Sequence, residues 1–202
     1  MSLGSFERSS IAGFLILVAA VSSSAAAQLS REQGGKLALK IDGINKNAAI
    51  EPVRSKTTPM SELEVNSYLA FNINDRIPRG LANPEIRMVG DGQLAGRVFV
   101  DIDEFKRHRS SGGFFDPLSY ISGQVPLTAR GVLHTRGGKG QFQLASAEIH
   151  GVPVPKPIVQ ELVSFFSRTP ENPHGFNIDA PFNLPAKIRQ IIVNPGETLL
   201  LQ

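Results

Sequence analysis

Residues 127–149 read LTARGVLHTRGGKGQFQLASAEI, and this stretch decides the fold. Leu127, Ala129, Gly131 and Leu133 alternate with Thr128, Arg130, Val132 and His134, the two-residue period of a strand with one buried and one polar face. Gly140 to Ile149 continues with the same period beyond Arg136-Gly137-Gly138-Lys139-Gly140. Two such arms around a glycine-rich turn form an antiparallel hairpin. Turning near Gly138, the hairpin sets His134 opposite Phe142.

Toward the carboxyl end, Pro153, Pro155 and Pro157 introduce a helix over Ile158 to Ser167. Proline is permitted there because first-turn amides have no intrahelical partner. Ile158, Val159, Leu162, Val163, Phe165 and Phe166 give that helix a broad apolar stripe. Asn172-Pro173-His174-Gly175 is a loop, and Ile188 to Val193 with Thr198 to Leu201 makes a hairpin over Asn194-Pro195-Gly196.

Toward the amino end, Ile86 and Met88 lead through Gly90-Asp91-Gly92 into Val98, Val100 and Ile102, a further hairpin. Glu104 to Gly113 breaks the alternation and holds a helical turn before a loop. Ser61 with Glu64 is a capping box, which starts a helix carrying Leu63, Val65, Tyr68 and Leu69. Asn45 to Thr58 reads as an irregular connection, Leu37, Leu39 and Ile41 as a short strand, and Gln28 to Gly35 as a loose arm. The expected fold has about seven strands and two helices. It is α+β, a curved, mostly antiparallel sheet wrapped on one or two amphipathic helices. Residues 59–202 make a single domain, 28–58 supply an arm, a strand and a connection, and 36–41 join the sheet.

Among 202 residues, 41% are hydrophobic and 19% charged, with formal net charge +3 and no cysteine. These values fit a globular chain and exclude collagen-like, coiled-coil and wholly disordered classes. The small charge gives no reason to expect nucleic acid. Without cysteine there is no disulfide framework and no thiolate metal site. The run IAGFLILVAAV over residues 11–21, followed by Ala25 and Ala27 as an A-x-A site, reads as a signal peptide over residues 1–27, cleaved after Ala27. The alternative is an uncleaved amino-terminal anchor. Either way the folded part is expected outside the cytoplasm, in the periplasm or the extracellular space.

Motifs for enzyme chemistry are missing. No G-x-S-x-G elbow, H-E-x-x-H run, Walker loop or Rossmann fingerprint occurs. His108, His134, His150 and His174 lie far apart, and Asp101, Asp103 and Glu104 read as a solvated strand face rather than a carboxylate pair flanking a cleft. The expectation is a protein that is not an enzyme, with no catalytic residue, metal or cofactor.

Three segments carry a family resemblance: SELEVNSYL (Ser61 to Leu69), SGQVPLTARGVLHTRGGKGQFQLASAEIHGVPVPKPIVQELV (Ser122 to Val163) and FNLPAKIRQIIVNPGETLLLQ (Phe182 to Gln202). In this order they resemble the LmeA-like periplasmic phospholipid-binding proteins and their AsmA-like and tubular lipid-binding relatives. The resemblance spans most of residues 61–202 and departs from the family at EFKRHRSSGGFFDPLSYI, residues 104–121. It implies a curved sheet around a long helix with an apolar groove, and a lipid or other apolar small molecule as partner. Candidate groove residues are Ile158, Leu162, Val163, Phe165, Phe166 and Leu69, although the same stripe equally suits a closed core. The protein is thus expected to bind an apolar ligand in the cell envelope. The alternative is a structural or adaptor protein without a ligand, whose protein partner the sequence does not name. In residues 104–121, Phe105, Lys106, Arg107, Arg109, Phe114 and Phe115 combine cations with aromatic rings, as a loop contacting an anionic membrane surface requires; the competing reading is a solvated charge run beside small core plugs.

Overall fold

A computed structural model describes residues 28–108, 117–170 and 172–202. The expected signal peptide, and Arg109, Phe114 and Phe115, lie outside the described residues. The fold is α+β, with mostly antiparallel sheets.

Strands β2 (Leu81–Gly90), β3 (Gln93–Asp101), β4 (Gln124–Arg136), β5 (Lys139–Ile149) and β6 (Val152–Pro153) follow one another in an antiparallel sheet, and β7 (Phe182–Asn183) pairs with β5. β4 and β5 are the hairpin expected from residues 127–149. Its turn centres on Gly137-Gly138, both at positive φ (57° and 80°), a conformation that glycine adopts without a Cβ penalty. Arg136 therefore pairs with Lys139, and Leu133, not His134, faces Phe142. His134 faces Gln141. A register shift after Arg130 absorbs one extra residue in β5 and keeps the apolar sets of both strands on one face.

That face carries Val100, Val125, Leu127, Ala147 and Ile149, which pack with α4 (Lys156–Phe166) through Ile158, Val159 and Leu162. Ile102, expected as a strand residue, instead opens α3 (Ile102–Arg107), whose N-cap Asp101 accepts a hydrogen bond from the Glu104 amide. Asp103 accepts from the Gly123 amide at 2.9 Å. Both aspartates therefore shape backbone.

The amino-terminal expectation is corrected. Residues 31–48 are not an arm, a strand and a connection but one helix, α1 (Arg31–Ala48), capped by Ser30 accepting from the Gln33 amide. Leu37, Ile41 and Ile44 recur at helical spacing and enter a second core, whereas Leu39, which alternation placed beside Leu37, is 73% exposed. Gly34 has a packing reason to be there. A Cβ on it would come within 2.3 Å of Asn72 Oδ1 and 3.0 Å of the Ser67 carbonyl oxygen, so the glycine lets α1 approach α2 (Glu62–Phe71) closely.

β1 (Thr57–Ser61), whose first two residues were expected in the irregular connection, pairs with β9 (Glu197–Leu201), and β9 pairs with β8 (Gln190–Asn194), giving a separate three-stranded sheet. Pro59 fits in β1 because that strand is an edge. The second core, Leu37, Ile44, Met60, Leu184, Ile188 and Leu200, lies among α1, the small sheet and the 182–188 segment. The two sheets meet where β8 receives the hairpin tips of the larger one. The Gly92 amide donates to Val193 O, the Gly138 amide to Arg189 O, and Thr135 Oγ1 both donates to Ile191 O and accepts from its amide.

Candidate functional site

α2 is anchored by polar side chains. The expected capping box is present: Ser61 Oγ accepts from the Glu64 amide and Glu64 Oε2 accepts from the Ser61 amide. The side of α2 turned most fully inward is not its apolar stripe but Glu64 and Ser67, at 6% and 0% exposure. Lys40 Nζ of α1 lies 2.7 and 2.8 Å from the two Glu64 carboxylate oxygens and 2.7 Å from Pro59 O. Burial opposes ionisation of Glu64, but Lys40 and the Ser61 amide outweigh it and hold the carboxyl below its usual range.

The same helix closes the free edge of β2. Asn66 Nδ2 donates to Ile86 O and Asn66 Oδ1 accepts from the Ile86 amide, both at 2.8 Å, while Glu62 Oε2 accepts from the Met88 amide at 2.7 Å. Side chains here do what a neighbouring strand would otherwise do.

Beside this wall lies a groove of about 930 Å³ on the face of the larger sheet opposite the first core. Strand alternation puts Arg87 and Val89 of β2, Ala95 and Arg97 of β3, Arg130 and Val132 of β4, and Glu148 of β5 on that face. Leu29, Glu62 and Asn66 border it on the α2 side. A second recess of about 610 Å³ lies between the hairpin tips and β8, with His134, Arg136 and Lys139 in its lining.

The six groove candidates read from the sequence line neither recess. Ile158 and Leu162 are buried in the first core, Val163, Phe165 and Phe166 pack against it half-buried, and Leu69 is half-buried on α2. Within the stripe, Ile158 and Leu162 thus pack α4 into the core under the larger sheet.

Of the described membrane-contact candidates, Phe105 is corrected to the core, whereas the Arg107 side chain is 63% exposed. Phe105 is 3% exposed and joins an aromatic cluster, edge-to-face with Phe165 and stacked with Phe166, at centroid distances of 5.5 and 6.5 Å. Residues assigned by sequence to two different surfaces therefore share one core. Gly80, at φ 84°, makes room for the Phe166 ring, which a Cβ there would meet at 2.8 Å. Lys106 Nζ donates to Ile121 O at 2.5 Å, and Arg107 pairs with Glu104.

His108, His134, His150 and His174 are exposed, and among the described residues no group of three or more His, Asp or Glu side chains is placed to hold a metal ion. No described helix is long and apolar enough to cross a membrane. Sequence reasoning missed the groove because it followed the apolar sides of β3 and β4, whereas the lining comes from the interleaved positions 95, 97, 128, 130 and 132. Compared with known protein families, curated proteins and solved structures, the chain matches none of them.

Proposed function

We propose that the exported, mature protein is a non-catalytic binding protein of the cell envelope that takes up a lipid or similar amphiphile in the groove on its larger sheet. The observation that carries this reading is the groove itself. Its volume, about 930 Å³, is in the upper range of ligand sites, roughly 300–1,000 Å³. Its lining interleaves Val89, Ala95 and Val132 with charged side chains, the mixture that an apolar chain with a polar head requires. The signal-peptide reading of residues 1–27 and the resemblance of most of residues 61–202 to the LmeA-like proteins support it.

The test is uptake. Purified, delipidated protein should bind an environment-sensitive acyl probe, a Val132→Asp substitution in the groove should weaken uptake, and native mass spectrometry should find lipid on protein taken from its envelope. Folded protein that binds no probe and carries no lipid would overturn the proposal. Co-purification of a stoichiometric protein partner in its place would assign the fold an adaptor role.

A further inference from the structure

We infer that the groove recognises a ligand head bearing both an anionic oxygen cluster, phosphate or carboxylate, and an ammonium group. This rests on the reading that the groove is the binding site, and adds the chemistry of the head. Arg87, Ala95 and Arg130 face one another directly across β2, β3 and β4. With strands about 4.8 Å apart, the two arginine Cα atoms are on the order of 10 Å apart, with only a methyl group between them. Guanidinium groups approaching from both sides can close over one anion, which each can grip with paired N–H donors.

The next row on the same face reads Glu85, Arg97, Thr128, Glu148 across β2 to β5. The Arg97 guanidinium is 5.2 Å from the centre of the Phe99 ring, on the side away from Ala95. Among the described residues, no ion pair within 4.0 Å joins Arg87, Arg97, Arg130, Glu85 or Glu148 to any partner, and Glu62 is engaged by the Met88 amide. Charges of both signs therefore line one groove without neutralising each other. The lining carries as many carboxylates as arginines, so a purely anionic head gains nothing from the summed field. A head carrying both signs gains twice, with its anion between Arg87 and Arg130 and its ammonium toward Glu148, one same-face step along the strands and one strand beyond Arg130, about 8 Å from it between Cα atoms. Glu148 is the carboxylate for that ammonium, because its cross-strand neighbour is the neutral Thr128, whereas Glu85 faces the cation Arg97.

The experiment compares three amphiphiles of equal acyl length below their critical micelle concentrations: lysophosphatidylethanolamine, lysophosphatidylglycerol and monoacylglycerol, each displacing an acyl fluorophore. The ethanolamine head should bind about tenfold more tightly than either other head, the equivalent of 1.4 kcal/mol. The double variant Arg87→Gln/Arg130→Gln should weaken both phosphate-bearing heads, removing the preference of ethanolamine over monoacylglycerol, and leave monoacylglycerol binding unchanged. Glu148→Gln should abolish discrimination between ethanolamine and glycerol heads without weakening the glycerol one. Equal binding of all three by the unaltered protein, or wild-type discrimination in the arginine variant, would overturn the inference while leaving the groove a lipid site. Uptake of none by folded protein would overturn the function reading and this inference with it. Free phosphoethanolamine displacing the probe as well as the lysolipid would support the charge pattern but make a soluble solute the ligand. Displacement requiring the acyl chain would assign it to a lipid head.

Discussion

Replacing Glu64 with alanine tests how α1, α2 and the small sheet are tied together. The change removes a carboxylate that is 6% exposed, together with its contacts to Lys40 at 2.7 and 2.8 Å and to the Ser61 amide at 2.9 Å. Breaking a buried ion pair costs about 3–5 kcal/mol when the remaining charge is stranded. Lys40 is not stranded, since its side chain is 31% exposed and keeps the Pro59 carbonyl. A net loss of about 2–3 kcal/mol at neutral pH follows, within the range for hydrogen bonds to charged groups, and it should lower the melting temperature by roughly 5–10 °C in a domain of this size. The pH dependence has a definite sign. Because the folded-state pKa of Glu64 is lowered, its stabilisation is complete above the unfolded value of about 4.3 and disappears as pH falls through the folded one. Thermal melts followed by circular dichroism from pH 7 to pH 3 should therefore show the gap between wild type and Glu64→Ala narrowing only below about pH 4.3, with Lys40→Met showing the same convergence. A gap that stays constant to pH 3 would refute an ionic origin for the link.

Leu162→Ala should destabilise by about 2–5 kcal/mol, because the side chain is 2% exposed in the first core; an unchanged urea midpoint would contradict the placement of α4. Thr58 is 6% exposed and its hydroxyl has no hydrogen-bond partner among the described residues. Thr58→Val should thus leave stability unchanged or raise it by up to about 1 kcal/mol, and a clear loss in calorimetry would show that the hydroxyl is bonded. Gln202→Ala should cost about 2–4 kcal/mol in chemical denaturation, since it removes the side-chain bonds to Ile44 O, Ala186 O and Asn47 Nδ2 from a buried site; a neutral result would mean that water replaces them. Gly80→Ala should lower the melting temperature by several degrees, as it combines positive φ with a clash against Phe166, and no shift would refute that packing.

Where local chemistry and tertiary packing point the same way, the sequence was legible. The hairpins around Gly92, Gly137-Gly138 and Gly196, the capping box at Ser61 and the helix after Pro157 all form as their residues indicate. Residues 31–48 were misread because Leu37, Leu39 and Ile41 satisfy a two-residue period over a stretch too short to separate it from a helical one. Gly34 and Gly35 also argue against a helix, and only the close approach of α2 explains the first of them.

By itself, the sequence determined an α+β chain of antiparallel hairpins with an apolar helix packed on them, because strand period, turn glycines and caps are local properties of a few neighbouring residues. Tertiary structure alone decided which sheet each hairpin joins, that Phe105 meets Phe165 and Phe166, and that Arg87, Arg97 and Arg130 share a groove with Glu148. The physical reason is sequence distance. A strand residue announces only that it lies on the face opposite its neighbours, and what that face confronts is set by register between segments tens of residues apart.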